Sequence, residues 1–352
     1  MSSPPLLLAL SREEQAEIIS HFSQRLNIEP HVVEKDLWVC WALQQLFSMP
    51  NPLQMAFKGG TSLSKVFNVI FRFSEDIDIT IDYTSFKNDL ENPFAENVSK
   101  NAQKKLSENL KLQLTDYIHH TVKPYFQNAV KTQFDNAVSI SVNPSGEKFW
   151  IKYPSAFSLN PYLKEGVLLE FGARNVTTPN EIHRVEPLLA KFIVNNELIL
   201  PSISVPVLSP QRTFWEKATL IHVECNKYNN TITEIKANTH AERLSRHWYD
   251  LVMLHRHAIG QEAIRNLSLL EEVVKHKKVF FSGAHYNYDD CLQGKLSLIP
   301  DDNHIKALAQ DYRIMITNGM FFETPPTFEE ILTELDKIEN LINRSLETFQ
   351  DS

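Results

Sequence analysis

The sequence predicts an α/β fold of the α+β kind, with a mixed or antiparallel sheet core, a helical N-terminal element and a helical C-terminal domain. Short strand patterns bounded by turns occur between residues 53 and 207, amphipathic helix patterns precede them, and most of the chain after Pro210 has helical periodicity. At about 150 residues per domain, a chain of 352 residues has room for two domains. We expect N-terminal helices packed on the core over residues 1–50, the sheet core over 51–207 and the helical domain over 208–352.

Two helices are predicted before the sheet. Ser11 is followed three residues later by Glu14, which resembles a capping box, and apolar residues then recur at helical spacing. Pro30 opens the second helix, since the first helical position needs no N–H partner. Pro50 and Pro52 end it, because proline cannot continue the hydrogen-bond ladder.

The first strands flank a pair of glycines. Residues 53–57 are predicted as a short strand, residues 58–61 break it, and residues 62–70 have the pattern of a short helix. Residues 74–82 then alternate strictly between polar and apolar. A strand there places Ile77, Ile79 and Ile81 on one face and Asp76, Asp78, Thr80 and Asp82 on the other.

The rest of the chain is assigned from periodicity. Residues 95–132 are predicted as one long helix or two, with strands at 138–142, 149–153, 167–173 and 203–207. Helices are predicted at about 210–226, 239–258, 261–275, 303–318 and 327–347.

Composition excludes several classes of protein. Only 9 of the 352 residues are glycine, which argues against a glycine-rich dinucleotide-binding design. No long apolar run predicts a membrane span, and the first residues lack the basic leader of a signal peptide. Three widely spaced cysteines fit a reducing cytoplasm. With a net charge of −8, any nucleic acid needs a local basic patch.

Gly59 and Gly60 lie between a predicted strand and a predicted helix. Adjacent glycines let the backbone turn its N–H groups toward one point, and a helix N-terminus adds partial positive charge. This combination suits a phosphate. Taken alone, a glycine pair is more often only a turn.

Asp76 and Asp78 follow on the predicted strand, where positions i and i+2 project from one face about 7 Å apart. Two such carboxylates repel each other unless a cation lies between them, and Mg²⁺ accepts few carboxylates while keeping sites for phosphate and water. A phosphate site followed by this pair is what nucleotidyl transfer from an NTP requires. The alternative is a solvated strand face.

These residues resemble a known family. Lys58-Gly-Gly-Thr61 followed by Arg72-Phe-Ser74-Glu-Asp76-Ile-Asp78 is similar to the motif of the AbiEii/AbiGii nucleotidyltransferase toxins, whose fold is DNA polymerase β-like. The resemblance extends over about residues 30–255. It includes the elements Glu34-Lys-Asp-Leu-Trp38, Arg212-Thr-Phe-Trp-Glu-Lys217 and Arg246-His-Trp-Tyr-Asp250.

The resemblance implies roles for individual residues. Lys58, Gly59, Gly60 and Thr61 would bind the triphosphate, Asp76 and Asp78 would hold Mg²⁺ or Mn²⁺, Lys217 would meet a phosphate, and Asp250 would orient it or bind the base or acceptor. Arg72 and Ser74 either contact phosphate or set the entry to the strand. The alternatives are a solvated helix lysine for Lys217 and a surface salt bridge with Arg246 for Asp250.

Polymerase β-like enzymes usually add a third carboxylate from a neighbouring strand. Glu170 is the candidate, because it lies in a strand that can pair with residues 77–82. The alternative is a solvated glutamate on an edge strand. Asp82, about 13 Å beyond Asp78 along the strand, is a poorer candidate.

The family implies a toxin of an abortive-infection, type IV-like toxin–antitoxin pair. Such an enzyme would transfer NMP to an acceptor hydroxyl, for some members the tRNA 3′ end, and would have a cognate antitoxin. Lysines at 100–111 and 275–278 either bind an RNA backbone or form solvated faces. Two alternatives are a binding module without turnover and a kinase-like phosphotransferase.

Other conspicuous residues receive structural interpretations. His247, His255 and His257 lack the spacing of a helical zinc pair and are expected at the surface or in a polar core. Trp38 and Trp41 are expected in the core rather than in a base-stacking platform.

Overall fold

A computed structural model describes residues 4–350 except 88–89, 91, 135–136, 159–163, 194–197 and 230–242. The chain forms two compact units, each described by itself below. The first contains Met1–Val66, Phe73–Asn88 and Glu108–Leu208, and the second contains Phe67–Arg72, Asp89–Ser107 and Ser209–Ser352. The three-part division expected from the sequence stays a prediction.

The first unit contains a mixed sheet of seven strands within the described residues, which confirms the predicted fold class. Its spatial order is β3-β4-β5-β2-β1-β7-β6. The β2–β5 and β1–β7 pairs are parallel, and the other neighbouring pairs are antiparallel. The strands are β1 (Met55–Lys58), β2 (Ile77–Asp82), β3 (Ser139–Val142), β4 (Lys148–Lys152), β5 (Val167–Asn175), β6 (Asn180–Val185) and β7 (Ile203–Leu208).

Strand β2 lies at the centre of the sheet, between β1 and β5. Its isoleucines face the core as predicted, but Thr80 and Asp82 on the opposite face are also buried. The alternative of a solvated strand face is therefore wrong, because the strand is covered on both sides. Asp82 is occupied structurally, since its carboxylate accepts the N–H groups of Thr84 and Thr177 at 3.0 and 3.2 Å.

Helices occur in both units. The segment predicted at 95–132 contains two α-helices, α4 and α5. A π-helical turn, Ile118–Val122, joins them without a break. The helices are α1 (Arg12–Leu26), α2 (Pro30–Phe47), α3 (Gly59–Lys65), α4 (Lys100–Tyr117), α5 (Lys123–Phe134), α6 (Pro210–Asn229), α7 (Ser245–Arg256), α8 (Ala258–Arg265), α9 (Leu267–Phe280), α10 (Asp302–Thr317) and α11 (Phe328–Gln350).

The N-terminal helices begin as the sequence predicts. Ser11 and Glu14 form a reciprocal capping box at the start of α1, and Pro30 is the first residue of α2. Helix α2 packs on β5 and β7. Trp38 and Trp41 are buried there, and the Trp41 indole N–H donates to Gln133 at 2.9 Å, which confirms their core assignment.

The second unit is helical, with α6 packed against α7, α8 and α9. Two buried indoles join its helices to loops. The Trp215 N–H donates to the carbonyl of Ala263 at 3.2 Å, and that of Trp248 donates to the carbonyl of Leu298 at 3.0 Å. Buried polar tips of this kind are satisfied, so they fix the packing rather than weaken it.

Four sequence predictions differ from the structure. The helix predicted at 62–70 is α3, which begins at Gly59 and ends at Lys65, so residues 59–61 belong to the helix and not to a break before it. Strand β6 was not predicted, because it is an exposed edge strand without apolar alternation. The helix predicted at 261–275 is two helices, since Asn266 ends α8 and its side chain caps α9. The helix predicted from 239 begins at Ser245, and its first residues lie outside the described part of the chain.

Among the described helices, none combines the length and the apolar character needed to cross a bilayer. Cys40, Cys225 and Cys291 are free and buried.

His222 makes unfolding of the second unit sensitive to pH. It is buried, its Nε2 donates to the carbonyl of Asn287 at 3.1 Å, and its Nδ1 accepts the N–H of Ser297 at 3.0 Å, so the neutral ring is the form that fits. Burial lowers its pKa below the ordinary value, against the effect of the Asn287 carbonyl. The unfolded state therefore takes up the proton first, and stability is lost as pH falls below about 6.5.

Urea unfolding at pH 8, 7, 6 and 5 tests this expectation. His222→Gln is expected to flatten the decline in unfolding free energy below pH 7, whereas His120→Gln, at an exposed position, is the control and keeps the wild-type slope. An unchanged slope in His222→Gln would contradict the assignment.

Candidate active site

Gly59 brings the glycine pair into direct contact with the aspartate strand. Strand β1 runs into α3 at this residue, which has a φ of +80°, a conformation that favours glycine. A Cβ built on Gly59 would lie 2.0 Å from Oδ2 of Asp78. The Asp78 carboxylate therefore packs against the bare backbone of the turn, and the two parts of the predicted motif meet in space.

The register of the sheet explains this contact. Lys58, the last residue of β1, pairs with Asp78 across the antiparallel β1–β2 ladder, so Gly59 follows at the level of the aspartate. On the other side of β2, Glu170 pairs with Asp78 in the parallel β2–β5 ladder. Lys58, Asp78 and Glu170, which the sequence predicts to bind phosphate or metal, thus lie side by side on three neighbouring strands.

Thr61 connects α3 to the entry of β2. Its hydroxyl donates to the main-chain carbonyl of Asp76 at 2.5 Å and lies 3.0 Å from the hydroxyl of Ser74. Both Thr61 and Ser62 are buried. The Thr61 side chain therefore positions the residues just before the aspartate pair.

Asp76 has one occupied carboxylate oxygen and one without a described donor. Oδ2 forms an ion pair with Nζ of Lys164 at 2.7 Å. Oδ1 is buried and, within the described residues, accepts no hydrogen bond. A buried carboxylate oxygen without a donor is costly, so this atom is suited to a cation.

These residues fit a divalent cation. Carboxylate oxygens are the ligands that Mg²⁺ prefers, and one or two of them leave positions for water and phosphate. Asp76 Oδ1 and the Asp78 carboxylate are the atoms that would hold it. Across the described ranges, no three Asp, Glu, His or Cys side chains are grouped closely enough to hold a metal, so the third ligand stays a prediction.

Glu170 lies in a central strand, so the edge-strand alternative is wrong. Its side chain is 36% exposed, and an oxygen lies 3.9 Å from Nζ of Lys148. A pair at that distance and exposure is weak, so Lys148 does not fix the carboxylate. Its role as a metal ligand remains the prediction made from the sequence.

In the second unit, Asp250 is fully buried between two cations. Nε and Nη2 of Arg72 donate to its two oxygens at 2.7 and 2.8 Å, and Nζ of Lys217 lies 2.8 Å from Oδ2. Arg72 and Lys217 are also buried. The alternatives of a surface pair with Arg246 for Asp250 and of a solvated Lys217 are both wrong.

Burial and charge act in opposite directions on the ionisable groups of this cluster. Burial alone would raise the pKa of Asp250, but Arg72 and Lys217 outweigh burial and hold that pKa well below its usual range. Burial lowers the pKa of Lys217, with Arg72 acting in the same direction and Asp250 opposing both. The Asp250 carboxylate thus stays ionised although it is buried, because Arg72 and Lys217 both lie within ion-pair distance of it.

His247 lies beside Lys217 of this cluster. The sequence predicted only a position at the surface or in a polar core and gave this residue no role. Its Nδ1 lies 3.4 Å from Nζ of Lys217. Burial, followed by the charges of Lys217 and Arg246, lowers its pKa well below the ordinary value, so the ring is neutral. The available signal was its position three residues before Asp250, which places both on one helix face.

Three consecutive charged residues of α2 were also left without roles. Glu34, Lys35 and Asp36 are all buried, each with partners elsewhere in the first unit. Glu34 accepts from Ser155 and Ala156, Lys35 bonds to Glu75 and Lys164, and Asp36 bonds to Lys65 and to the N–H of Leu188. In the sequence, these residues are recognisable as three consecutive charges in a helix that is otherwise largely apolar.

Comparison with known proteins gives one family. The family model described as the nucleotidyl transferase AbiEii toxin of a type IV toxin–antitoxin system matches residues 41–334. Among solved structures, the chain is similar to MenT4, a nucleotidyltransferase toxin from Mycobacterium tuberculosis H37Rv, at 16% identity and a TM-score of 0.38, over 96% of this chain and 95% of that one. No curated protein sequence matches the chain.

Gly59→Ala tests the contact with Asp78. The substitution adds a Cβ at 2.0 Å from the carboxylate and also strains the positive φ. Gly319→Ala is the matched control, because Gly319 has a φ of +66° with nothing within 4 Å of the added Cβ. We expect the strain alone to cost about 1–2 kcal/mol in both variants. Only Gly59→Ala should also weaken Mn²⁺ binding in a calorimetric titration; equal binding in both variants would contradict the contact.

Asp250→Asn tests the buried cluster. Removing the carboxylate charge leaves Arg72 and Lys217 buried without their counterion, so we expect unfolding free energy to fall by about 3 kcal/mol or more. Glu334→Gln removes the more exposed pair with Arg256 and should cost at most about 1 kcal/mol. Chemical denaturation of both variants compares the two losses, and similar small losses would show that the cluster contributes little.

Proposed function

The chain belongs to the AbiEii family of nucleotidyltransferase toxins of type IV toxin–antitoxin systems, and we propose that it transfers NMP from a magnesium-bound NTP to an acceptor hydroxyl, releasing pyrophosphate. The observation that carries this proposal is the contact of Gly59 with the Asp78 carboxylate. Asp76, two residues earlier in the chain, has a buried carboxylate oxygen without a donor among the described residues. A triphosphate and its metal need backbone N–H groups and a carboxylate pair at the same place.

Each element of this motif has a separate task in the proposal. The backbone from Lys58 to Thr61 binds phosphate oxygens, since a turn without a Cβ allows close approach. Asp76 and Asp78 hold the divalent ion, with Glu170 as the third carboxylate. The ion supplies charge neutralisation on the triphosphate when it is bound. Catalysis then depends on positioning and electrostatic stabilisation, without a covalent enzyme intermediate.

For the cluster of the second unit we propose the roles that the family resemblance implies. We assign Lys217 to a phosphate oxygen, because an ammonium is a compact charge suited to phosphate. Asp250 is a positioning residue that fixes Lys217 and Arg72, which the two short ion pairs support.

The acceptor and the partner follow from the family. Type IV toxins have a cognate antitoxin, so we expect one for this chain. We propose the tRNA 3′ end as the acceptor, which places the activity in the cytoplasm and would block translation. The lysines of residues 100–111 and 275–278 are candidates for contacts with the RNA backbone.

Labelled nucleotides test the activity. Purified protein with Mg²⁺ and total tRNA is expected to transfer label from the α-phosphate of one of the four NTPs to RNA. Asp76→Asn and Asp78→Asn should each lower this rate about a hundredfold or more, because each removes a charged metal ligand. Asp116→Asn, an exposed aspartate, is the control and keeps the rate.

Other outcomes identify the alternatives. Transfer of label only from the γ-phosphate would indicate a phosphotransferase, and binding of NTP without transfer would indicate a module without turnover. Near wild-type transfer by either aspartate variant, with unchanged unfolding, would contradict the metal-site assignment.

A further inference from the structure

Lys164 is a charged residue of the candidate active site to which the sequence motif assigns no role. Its ammonium lies 2.7 Å from Oδ2 of Asp76, the first of the two predicted metal ligands. The Asp76 side chain is 7% exposed, whereas that of Lys164 is 30% exposed. The ammonium is therefore reachable from solvent, although the carboxylate that it neutralises is buried.

Two buried residues hold the backbone of Lys164. Its N–H donates to Oε2 of Glu75 at 3.0 Å, and its carbonyl accepts from Nζ of Lys35 at 2.6 Å. Lys35 and Glu75 also form an ion pair with each other at 2.5 Å, and their side chains are only 4% and 5% exposed. The backbone N–H and carbonyl of Lys164 are thus both fixed by the buried pair of Lys35 and Glu75. Its side chain extends from there to Asp76.

Among the described residues, an acidic and an aromatic side chain lie near the ammonium of Lys164. Besides the carboxylate of Asp76, the ring of Trp150 lies 6.0 Å from Nζ of Lys164, at the outer limit of a cation–π contact. Neither contact encloses the ammonium. It can therefore leave Asp76 without unpacking the core.

A divalent ion and an ammonium compete for one carboxylate. Both are positive, so they repel each other when they lie a few ångströms apart in a partly buried site. A metal that binds Asp76 must therefore displace the ammonium of Lys164 or be weakened by it. The anion that arrives with the metal is the triphosphate of the proposed reaction.

We propose that Lys164 is a further nucleotide-contacting residue: its ammonium neutralises Asp76 while the metal site is empty and moves to the triphosphate when a divalent ion binds Asp76. The long flexible stem of lysine permits this movement, and phosphate is a suitable partner for a point charge. Lys35 and Glu75 are positioning residues that keep the backbone of Lys164 fixed during the exchange. The nucleotide part of this inference rests on the proposed function, but the competition at Asp76 does not.

Metal binding without nucleotide tests the competition. Mn²⁺ binding to the full-length protein is measured by EPR titration for the wild type, Lys164→Met and Lys164→Arg. Lys164→Met is expected to bind Mn²⁺ about tenfold more tightly, because the competing charge is gone. Lys164→Arg keeps the charge and should stay near the wild type. Lys152→Met, an exposed lysine on β4 paired with Glu165, is the control and should also stay near the wild type.

Dependence on Asp76 provides a second criterion. In the Asp76→Asn background, Lys164→Met should leave Mn²⁺ affinity unchanged, because the shared carboxylate charge is absent. Unchanged or weaker Mn²⁺ binding by Lys164→Met in the otherwise wild-type protein, with unfolding unaffected, would overturn the proposal. A gain in affinity that persists in the Asp76→Asn background would overturn it as well.

Kinetics test the nucleotide contact. Lys164→Met is expected to raise the KM for NTP about tenfold, and Lys164→Arg should restore much of the loss. The double variant Lys35→Met with Glu75→Gln removes both buried charges together, which avoids an orphan charge, and is expected to raise KM with little change in kcat. An unchanged KM in Lys164→Met would overturn the nucleotide contact. If the wild type transfers no NMP while Lys164→Met still tightens Mn²⁺ binding, the proposed function fails and the competition at Asp76 stands.

Discussion

The candidate active site depends on the close approach of the Asp78 carboxylate to the backbone of Gly59. Only a residue without a Cβ permits this distance, and the antiparallel register of β1 and β2 places the two residues at the same level. Any slip of one residue would turn Asp78 to the other face of the sheet. The glycine at the end of β1 and the alternation of β2 are therefore parts of one geometric requirement.

Buried charge surrounds this contact. Along α2, the side chains of Glu34, Lys35 and Asp36 bond to different segments of the first unit. Burying ions costs desolvation energy, so such residues add little to net stability compared with apolar ones. Their effect is on geometry: Asp36 holds Lys65 at the end of α3, and Lys35 holds the backbone of Lys164.

The second unit also uses buried charge to fix geometry. Asp250 has two oxygens, and Arg72 and Lys217 occupy both, so neither cation can reorient freely. A lysine held in one place by a buried carboxylate has lost most of its conformational freedom already in the folded protein. The burial that lowers the pKa of Lys217 is compensated by Asp250, since the carboxylate favours the charged ammonium.

The sequence by itself determined the elements and the motif. Capping residues, alternation and the glycine pair predicted α1, α2, β1 and β2 within a few residues, because each depends on contacts close in the chain. Edge strand β6 was missed, because its pairing with β7 and not its own pattern makes it a strand. Only the tertiary structure decided which charges meet: Lys164 is 88 residues from Asp76, and Arg72 is 178 from Asp250. The partner of a buried ion is chosen by the folded path of the chain, and local periodicity carries no information about that path.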